Sequence, residues 1–438
     1  MLICTVWVST LTVRVPELLY GVRWHSCKAS ANALTDDNGP MESSELVELL
    51  SADGLGLLDS LPPWKSTDDV LKSVARLRAA GHSPALVAAV LGQSKLRAKA
   101  AAKFGPFAAR MLFTEAGLEQ ATRLRVAAVH AGRFQATGLS RIADLGCGVG
   151  GDAMAMAAID LEVTAVDRDE VTAAIAAYNL APWNNADVRH EDATAVDLEG
   201  FDGVYLDPAR RTPGHGNTSR ITDPADFSPG LDFAFGVGRR LPTGIKLGPG
   251  IDRELIPDEA EAQWVSVDHE VVELGLWFGA VARPGIRRAA LLIGENGSAE
   301  LTATGDSEDA EVRQIGEYLF EPDGAVIRAR LIGDLARQLD AGMLSSGIAY
   351  LTGDSSAQSP FANCFRVTAV LPYDVRTLKR ELAARDIGTI EIKKRGVDVD
   401  PAELRKRLAP KGRQSATLFV TRVAGRHSAL LAERLDRQ

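Results

Sequence analysis

Four aspartates mark out the chemistry open to this chain. Asp144, Asp167, Asp192 and Asp207 each stand at or next to the end of a short run that reads as a β-strand. Open α/β sheets bind their ligands at the carboxyl ends of the strands. The first acid opens the run Asp144-Leu145-Gly146-Cys147-Gly148-Val149-Gly150-Gly151-Asp152, in which Gly146, Gly148 and Gly150 let the main chain turn tightly and approach a ligand without Cβ clashes. Asp167 follows the loop by about twenty residues, where a carboxylate can take both hydroxyls of a ribose. Asp207 runs directly into Pro208-Ala209-Arg210-Arg211. That juxtaposes a group able to accept a hydrogen bond or a proton with guanidinium groups able to grip an anion or stack on a base.

The spacing Gly146-x-Gly148-x-x-Gly151 also satisfies the dinucleotide fingerprint, so the loop alone leaves two ligand classes open. Asp144 separates them. A nicotinamide-binding loop must admit an anionic pyrophosphate, which an acid at this position repels. The same acid attracts the amino group and sulfonium of S-adenosylmethionine. A nicotinamide-dependent oxidoreductase is thereby disfavoured and stands as the alternative.

Positioning these acids requires an alternation of strands and helices. Residues 142–145, 161–166, 201–206 and 244–247 read as strands, with a shorter one near Val188, and residues 153–158 and 173–177 read as helices. Such alternation implies a mostly parallel sheet. Residues 264–278 and 288–293 suggest closing antiparallel strands. The expected catalytic domain is 141–294. Before it, residues 41–140 are helical in pattern, with Ser83-Pro84 a start signal; residues 1–40 read as an ill-ordered extension. A separate α+β unit is expected over 315–438, with strands at 365–370, 388–393 and 416–422 and helices at 375–384 and 401–408.

Composition bounds the class. The chain has 438 residues, 46% of them apolar, which is room for two or three domains. Cys4, Cys27, Cys147 and Cys364 form no CxxC pair, and the histidines are dispersed. No metal site is therefore expected, and the thiols fit a reducing cytoplasm. No apolar run approaches the roughly 20 residues of a membrane span. The net charge is −9, yet residues 65–141 hold thirteen Lys/Arg against four Asp/Glu, and residues 376–438 hold sixteen against eight. An acidic body with basic flanks should meet polyanions at the flanks.

Taken in order, Asp144-Leu-Gly146-Cys-Gly148-Val-Gly150, Asp167 and Asp192 resemble the S-adenosylmethionine-binding motifs of class I methyltransferases. The wording Cys147-Gly148-Val149-Gly150-Gly151 is similar to trimethylguanosine-synthase-like RNA methyltransferases. Upstream, Leu112-Phe113-Thr114-Glu115-Ala116-Gly117-Leu118-Glu119-Gln120-Ala121-Thr122 resembles the segment that covers the methionine end of the cofactor in such enzymes. The resemblance implies an α/β, Rossmann-like fold with S-adenosyl-L-methionine as cofactor. It also implies that Asp144 and the loop backbone hold the methionine moiety, Asp167 the ribose and Asp192 the adenine amino group. Asp207 and Pro208 match the start of the motif that base-amine methyltransferases use. Ala209 and Arg210 replace its second proline and its aromatic ring, so amine methylation is not implied. Ile392-Lys393-Lys394-Arg395-Gly396, in its α+β setting, resembles a THUMP-like domain, which implies RNA as partner. A methyltransferase acting on RNA is expected; a SAM- or RNA-binding protein that has lost catalysis is the second alternative.

Overall fold

The computed structural model describes residues 43–62, 67–210, 227–295 and 297–435. The expected extension 1–40 and the loop 212–219 lie outside the described residues.

The N-terminal module is built from α1 (Ser43–Leu49), α2 (Ala52–Ser60), α3 (Thr67–Ala79) and α4 (Pro84–Phe104). Serines start two of these helices. Ser51 Oγ accepts from Gly54 N at 3.0 Å and Ser83 Oγ from Leu86 N at 3.1 Å, each satisfying a donor that a first helical turn leaves unpaired. A 3-10 turn, Gly105–Arg110, leads into α5 (Glu115–Gln120) and α6 (Leu124–Gln135). Leu77, Val87 and Leu91 form a small core within the module, while Leu46, Leu49, Val90 and Phe104 belong to one larger apolar cluster with Phe113 and with Ala153 and Met156 of the sheet domain.

The central half follows as β1 (Arg141–Leu145), α7 (Gly151–Ala157), β2 (Glu162–Asp167), α8 (Glu170–Leu180), β3 (Ala186–His190) and β4 (Gly203–Leu206). A two-residue ribbon, β5 (Ala209–Arg210) with β6 (Phe227–Ser228), comes next, then α9 (Leu231–Gly238), β7 (Thr243–Leu247), β8 (Glu261–Val267), β9 (Glu270–Phe278), β10 (Arg288–Gly294) and β11 (Gly297–Ala303). The nine-stranded sheet has the order β11-β10-β8-β9-β7-β4-β1-β2-β3. From β7 to β3 all pairings are parallel, as the strand–helix alternation requires. The far edge differs from the expected antiparallel closure. β9 is antiparallel to both β7 and β8, but β10 pairs with β8 in parallel and is antiparallel to β11. The nine residues between β9 and β10 are too many for a tight hairpin and carry the chain past β8. The sheet therefore continues beyond residue 294.

The C-terminal part comprises β12 (Tyr318–Pro322), α10 (Gly324–Arg328), α11 (Ile332–Gln338), β13 (Gly342–Ser345), β14 (Ile348–Gly353), β15 (Ala362–Pro372), α12 (Val375–Ala384), β16 (Ile387–Lys394), α13 (Pro401–Leu408), β17 (Gln414–Val423) and β18 (Arg426–Arg434). Its seven strands are ordered β13-β14-β12-β15-β18-β17-β16, with β12, β13, β14 and β18 additions to the three strands expected from the sequence. The two ends of this sheet behave differently. Phe320, Val326, Leu335 and Leu351 share one core with Ile245, Trp264 and Leu276 of the nine-stranded sheet. Leu378, Leu382, Ile390, Leu404 and Leu418 form a separate core where α12 and α13 cover β16 and β17, each buried leucine worth about 1.5–3 kcal/mol. Among the described residues no helix is long and apolar enough to cross a membrane.

Candidate active site

The glycine loop is where β1 hands over to α7. Gly146, Gly148 and Gly150 have φ of 86°, 56° and 83°, a region that only glycine occupies without strain. At Gly146 space is short as well, because a Cβ there would lie 3.2 Å from the carbonyl oxygen of Asp207. The loop is pinned to the next strand: the amides of Gly146 and Cys147 donate to Val166 O at 2.8 and 3.0 Å. Gly148 N donates to Asp167 Oδ2 at 3.0 Å, and Asp169 N to Asp167 Oδ1 at 3.0 Å. Asp167 is thus fixed at the tip of β2 against the loop, and burial lifts its carboxyl above the usual range.

Beneath the loop sits Asp144, 1% exposed, with no hydrogen-bond partner for either carboxylate oxygen among the described residues. Burial first, then the charges of Asp152 and Asp207, push its carboxyl well above the ordinary value. A group in this position calls for a cation.

The loop, the ends of β2 and β4 and the segment around α5 enclose a cleft of about 250 Å³, lined by Gly146 but not by Asp144 itself. Gly146, Gly148, Asp152, Asp167, Ala193, Asp207 and Ala209 line it, and Thr114, Gly117, Gln120 and Thr122 form one wall. The structure therefore brings Asp167 and Asp207 together on one cavity. Asp192 is placed differently: it is exposed, and its Oδ1 accepts from Thr194 N at 2.8 Å and Thr194 Oγ1 at 2.6 Å. That turn engages one carboxylate oxygen, and the neighbouring Ala193 is what lines the cleft. Pro208 is buried. The main chain of Arg210 pairs with Phe227, and Ala209, Ser228 and Pro229 beside that pairing line the cleft.

Asp207 has a partner that the sequence reading missed. Leu206 pairs with Ile245 across β4 and β7, so the next residues, Asp207 and Lys246, come level at the sheet edge. Lys246 Nζ lies 2.5 Å from Asp207 Oδ2, with the two side chains 12% and 29% exposed. Burial raises the Asp207 carboxyl and Lys246 opposes that rise. For Lys246, burial pulls down but Asp207, Asp152 and Glu273 outweigh it, so the ammonium is held above its usual range. The one available signal was a lysine inside the otherwise apolar strand Thr243-Gly244-Ile245-Lys246-Leu247.

Lys246 Nζ also donates to Thr122 Oγ1 at 3.0 Å and Gln120 O at 3.2 Å, binding the cleft wall to the sheet. Behind the wall lies a second buried cluster. His130 Nδ1 is 2.8 Å from Asp152 Oδ1 and 2.9 Å from Tyr205 Oη, and His130 Nε2 is 2.7 Å from Glu273 Oε1. Burial alone would lower the imidazole, but Glu273 and Asp152 raise it to about 9. The imidazolium in turn holds the Asp152 carboxyl down despite its burial, so Asp152 presents a fixed negative charge at the cleft.

Comparison with known proteins places these features in context. The THUMP domain-like family matches residues 362–434, the half of the C-terminal sheet that runs from β15 to β18. A domain of unknown function matches residues 42–100, the N-terminal module. An uncharacterized S-adenosylmethionine-dependent methyltransferase of Mycobacterium tuberculosis, found in two strains, is 33% identical over 365 residues, covering 80% of this chain and 95% of the relative. A crystal structure from Porphyromonas gingivalis, described as a methyltransferase, superposes with a TM-score of 0.65 at 20% identity, over 85% of this chain and all of that one. At that identity the likeness establishes the fold.

Proposed function

Because the chain belongs to the S-adenosylmethionine-dependent methyltransferases, we propose that it methylates RNA, with Asp207 as the group that accepts the nucleophile's proton. Family membership removes the nicotinamide alternative. The residues present suit the cofactor: a buried carboxylate with no hydrogen-bond partner among the described residues, Asp144, stands at the start of a glycine loop that lines the cleft, and Asp167 stands at the tip of the adjacent strand. In this reading Asp144 and the backbone of Gly146, Gly148 and Gly150 hold the methionine end and Asp167 holds the ribose. Ala193 bounds the adenine side, and Asp192 acts only through the turn it makes with Thr194. S-adenosylmethionine, when bound, supplies a methyl group already activated on a sulfonium.

The chain's own contribution is alignment and charge. Asp207 accepts a hydrogen bond from the attacking atom, and its carboxylate takes the proton that atom sheds. Lys246 fixes the orientation of that carboxylate, and Asp152 adds negative charge beside it. The observation that carries the reading is that Asp167 and Asp207 open onto the same cleft, so a cofactor-holding acid and an acceptor acid face one bound group. RNA as substrate is supported by the THUMP-like match and by the surface beside it. Arg376, Lys379 and Arg380 of α12 and Arg405, Lys406 and Arg407 of α13 are exposed on neighbouring helices.

The test is transfer of labelled methyl from S-adenosylmethionine to total RNA from cells lacking the gene, followed by nucleoside mass spectrometry. One modified nucleoside, absent from those cells and restored by the protein, is expected. Label entering protein or small molecules with none in RNA would contradict the RNA assignment and leave the methyltransferase family intact.

A further inference from the structure

The N-terminal module reads in sequence as a basic surface, and its last helix carries the densest charge, in Lys95-Leu96-Arg97-Ala98-Lys99-Ala100-Ala101-Ala102-Lys103-Phe104. In the structure one face of that helix, α4, is turned onto the main chain of residues 111–121, which forms the cleft wall. Gln93, fully buried, makes both bonds of a pair with Phe113: its Nε2 donates to Phe113 O at 2.7 Å and its Oε1 accepts from Phe113 N at 3.0 Å. One turn later Arg97 Nε donates to Met111 O at 2.9 Å. At the helix end Lys103 Nζ donates to Leu118 O, Glu119 O and Ala121 O at 2.9, 2.7 and 2.8 Å. With Lys246 on Gln120 O, two ammonium groups hold four consecutive carbonyls at the C-terminal end of α5. These are carbonyls that a helix terminus leaves without intrahelical partners.

The wall so held is seated on the glycine loop. A Cβ on Gly117 would come within 2.8 Å of Val149 Cγ1, and a Cβ on Gly151 would meet the Phe104 ring at 3.3 Å. There is no slack on either side: a shift of α5 by a fraction of an ångström changes the loop or the cleft.

We propose that α4 is a positioning element of the cofactor site, with Gln93, Arg97 and above all Lys103 holding the cleft wall in the shape that admits S-adenosylmethionine. This rests on the cofactor reading of the cleft and goes beyond it by giving the N-terminal module a task. Lys103 touches no reacting atom; it acts through the wall. Of the four basic residues in the α4 run, Arg97, Lys99 and Lys103 are engaged by this chain's own carbonyls and carboxylates, since Lys99 also reaches Glu119 at 3.4 Å and Arg97 reaches Asp59 at 3.0 Å, while Lys95 is exposed. That leaves little of the run's charge for a polyanion.

The experiment uses the full chain and S-adenosylhomocysteine as probe, read by calorimetry and by amide hydrogen exchange over residues 114–122, with and without the probe. Lys103→Met is expected to weaken binding about tenfold or more and to speed exchange across the wall even without probe. Lys103→Arg, which keeps the charge and donors, should recover part of both. Gln93→Glu, which keeps size but replaces a donor with an acceptor, should repeat the Lys103→Met effect if that variant does not fold. Binding within twofold of the unaltered chain, or weaker binding with unchanged exchange over 114–122, overturns the proposal. So does loss of RNA affinity by Lys103→Met with the probe still bound, since α4 would then be a nucleic-acid surface. No binding of the probe by the unaltered chain would overturn the cofactor reading of the cleft, while faster exchange in Lys103→Met would still support the brace.

Discussion

Between residues 65 and 141 thirteen Lys/Arg stand against four Asp/Glu, and between residues 376 and 438 sixteen stand against eight; among the described residues Arg97, Lys103, Arg123 and Arg133 of the first set turn inward, while in the second all but Lys393 and Arg395 are exposed. Arg97 and Lys103 hold the cleft wall, Arg123 reaches Glu270 at 2.7 Å, and Arg133 reaches Glu261 at 2.8 Å while lying 4.4 Å over the Trp277 ring. In the second set α12 and α13 carry exposed Arg and Lys on their outer faces. Neither region is uniform. Arg76, Arg78, Lys95, Lys99, Arg110, Arg125 and Arg141 are exposed in the first; in the second, Lys393 bonds Glu321 at 2.8 Å and Arg395 donates to Ala349 O at 2.9 Å. The contrast teaches that net charge along a sequence does not say where the charge points. A buried cation must be matched by acceptors and becomes part of the architecture, whereas an exposed one is screened and can serve a partner.

Cutting an inward charge should therefore cost most. Lys246→Met removes the countercharge of Asp207 and the donor to Thr122 and Gln120. Breaking a buried pair this way is expected to cost about 3 kcal/mol of stability, with S-adenosylhomocysteine affinity falling at least about tenfold. Denaturant unfolding and calorimetry read both. A variant as stable as the parent would place Lys246 with the outward set.

The His130 cluster sharpens the same point through pH. Its folded-state value of about 9 lies above the ordinary 6.5, so the stabilisation is fully present below about 6.5 and is lost as pH rises through about 9. The loss should be on the order of 3 kcal/mol, visible as a falling melting temperature across that window. A flat profile between those pH values would contradict a buried imidazolium.

Asp207→Asn keeps an oxygen for Lys246 and removes the charge. Turnover should fall about a hundredfold or more, with S-adenosylhomocysteine affinity changed only a few-fold. Full turnover in a rate assay on the mapped RNA would move the acceptor role elsewhere.

What could be read in advance follows from locality. The glycine loop was legible because its conformation is written into consecutive residues, all three of Gly146, Gly148 and Gly150 having positive φ. Asp167 and Asp207 were legible because strand ends in a parallel sheet converge. Lys246 was not, because its role depends on β7 lying beside β4, a pairing between residues about forty apart. His130 is a lone histidine on a helix until Asp152 and Glu273, on other elements, close around it. Asp192 was read for its type and place, but a threonine two residues on closes a local turn that competes for its carboxylate. The β10–β8 pairing was hidden because alternation fixes which face a strand buries and not which neighbour it takes.

The smallest effects on stability belong to the outward charges, and they test the contrast most directly. In the triple variant Arg376→Gln, Lys379→Gln and Arg405→Gln, RNA affinity should fall about tenfold at low salt, with a salt dependence shallower by roughly two to three phosphate contacts. S-adenosylhomocysteine affinity should not change. Lys103→Met, titrated with the same RNA and the same probe, should show the reverse: weakened probe binding and RNA affinity within about twofold. The account predicts this double dissociation; if both variants weakened RNA binding alike and left probe binding untouched, the inward and outward assignment of the two basic regions would be wrong.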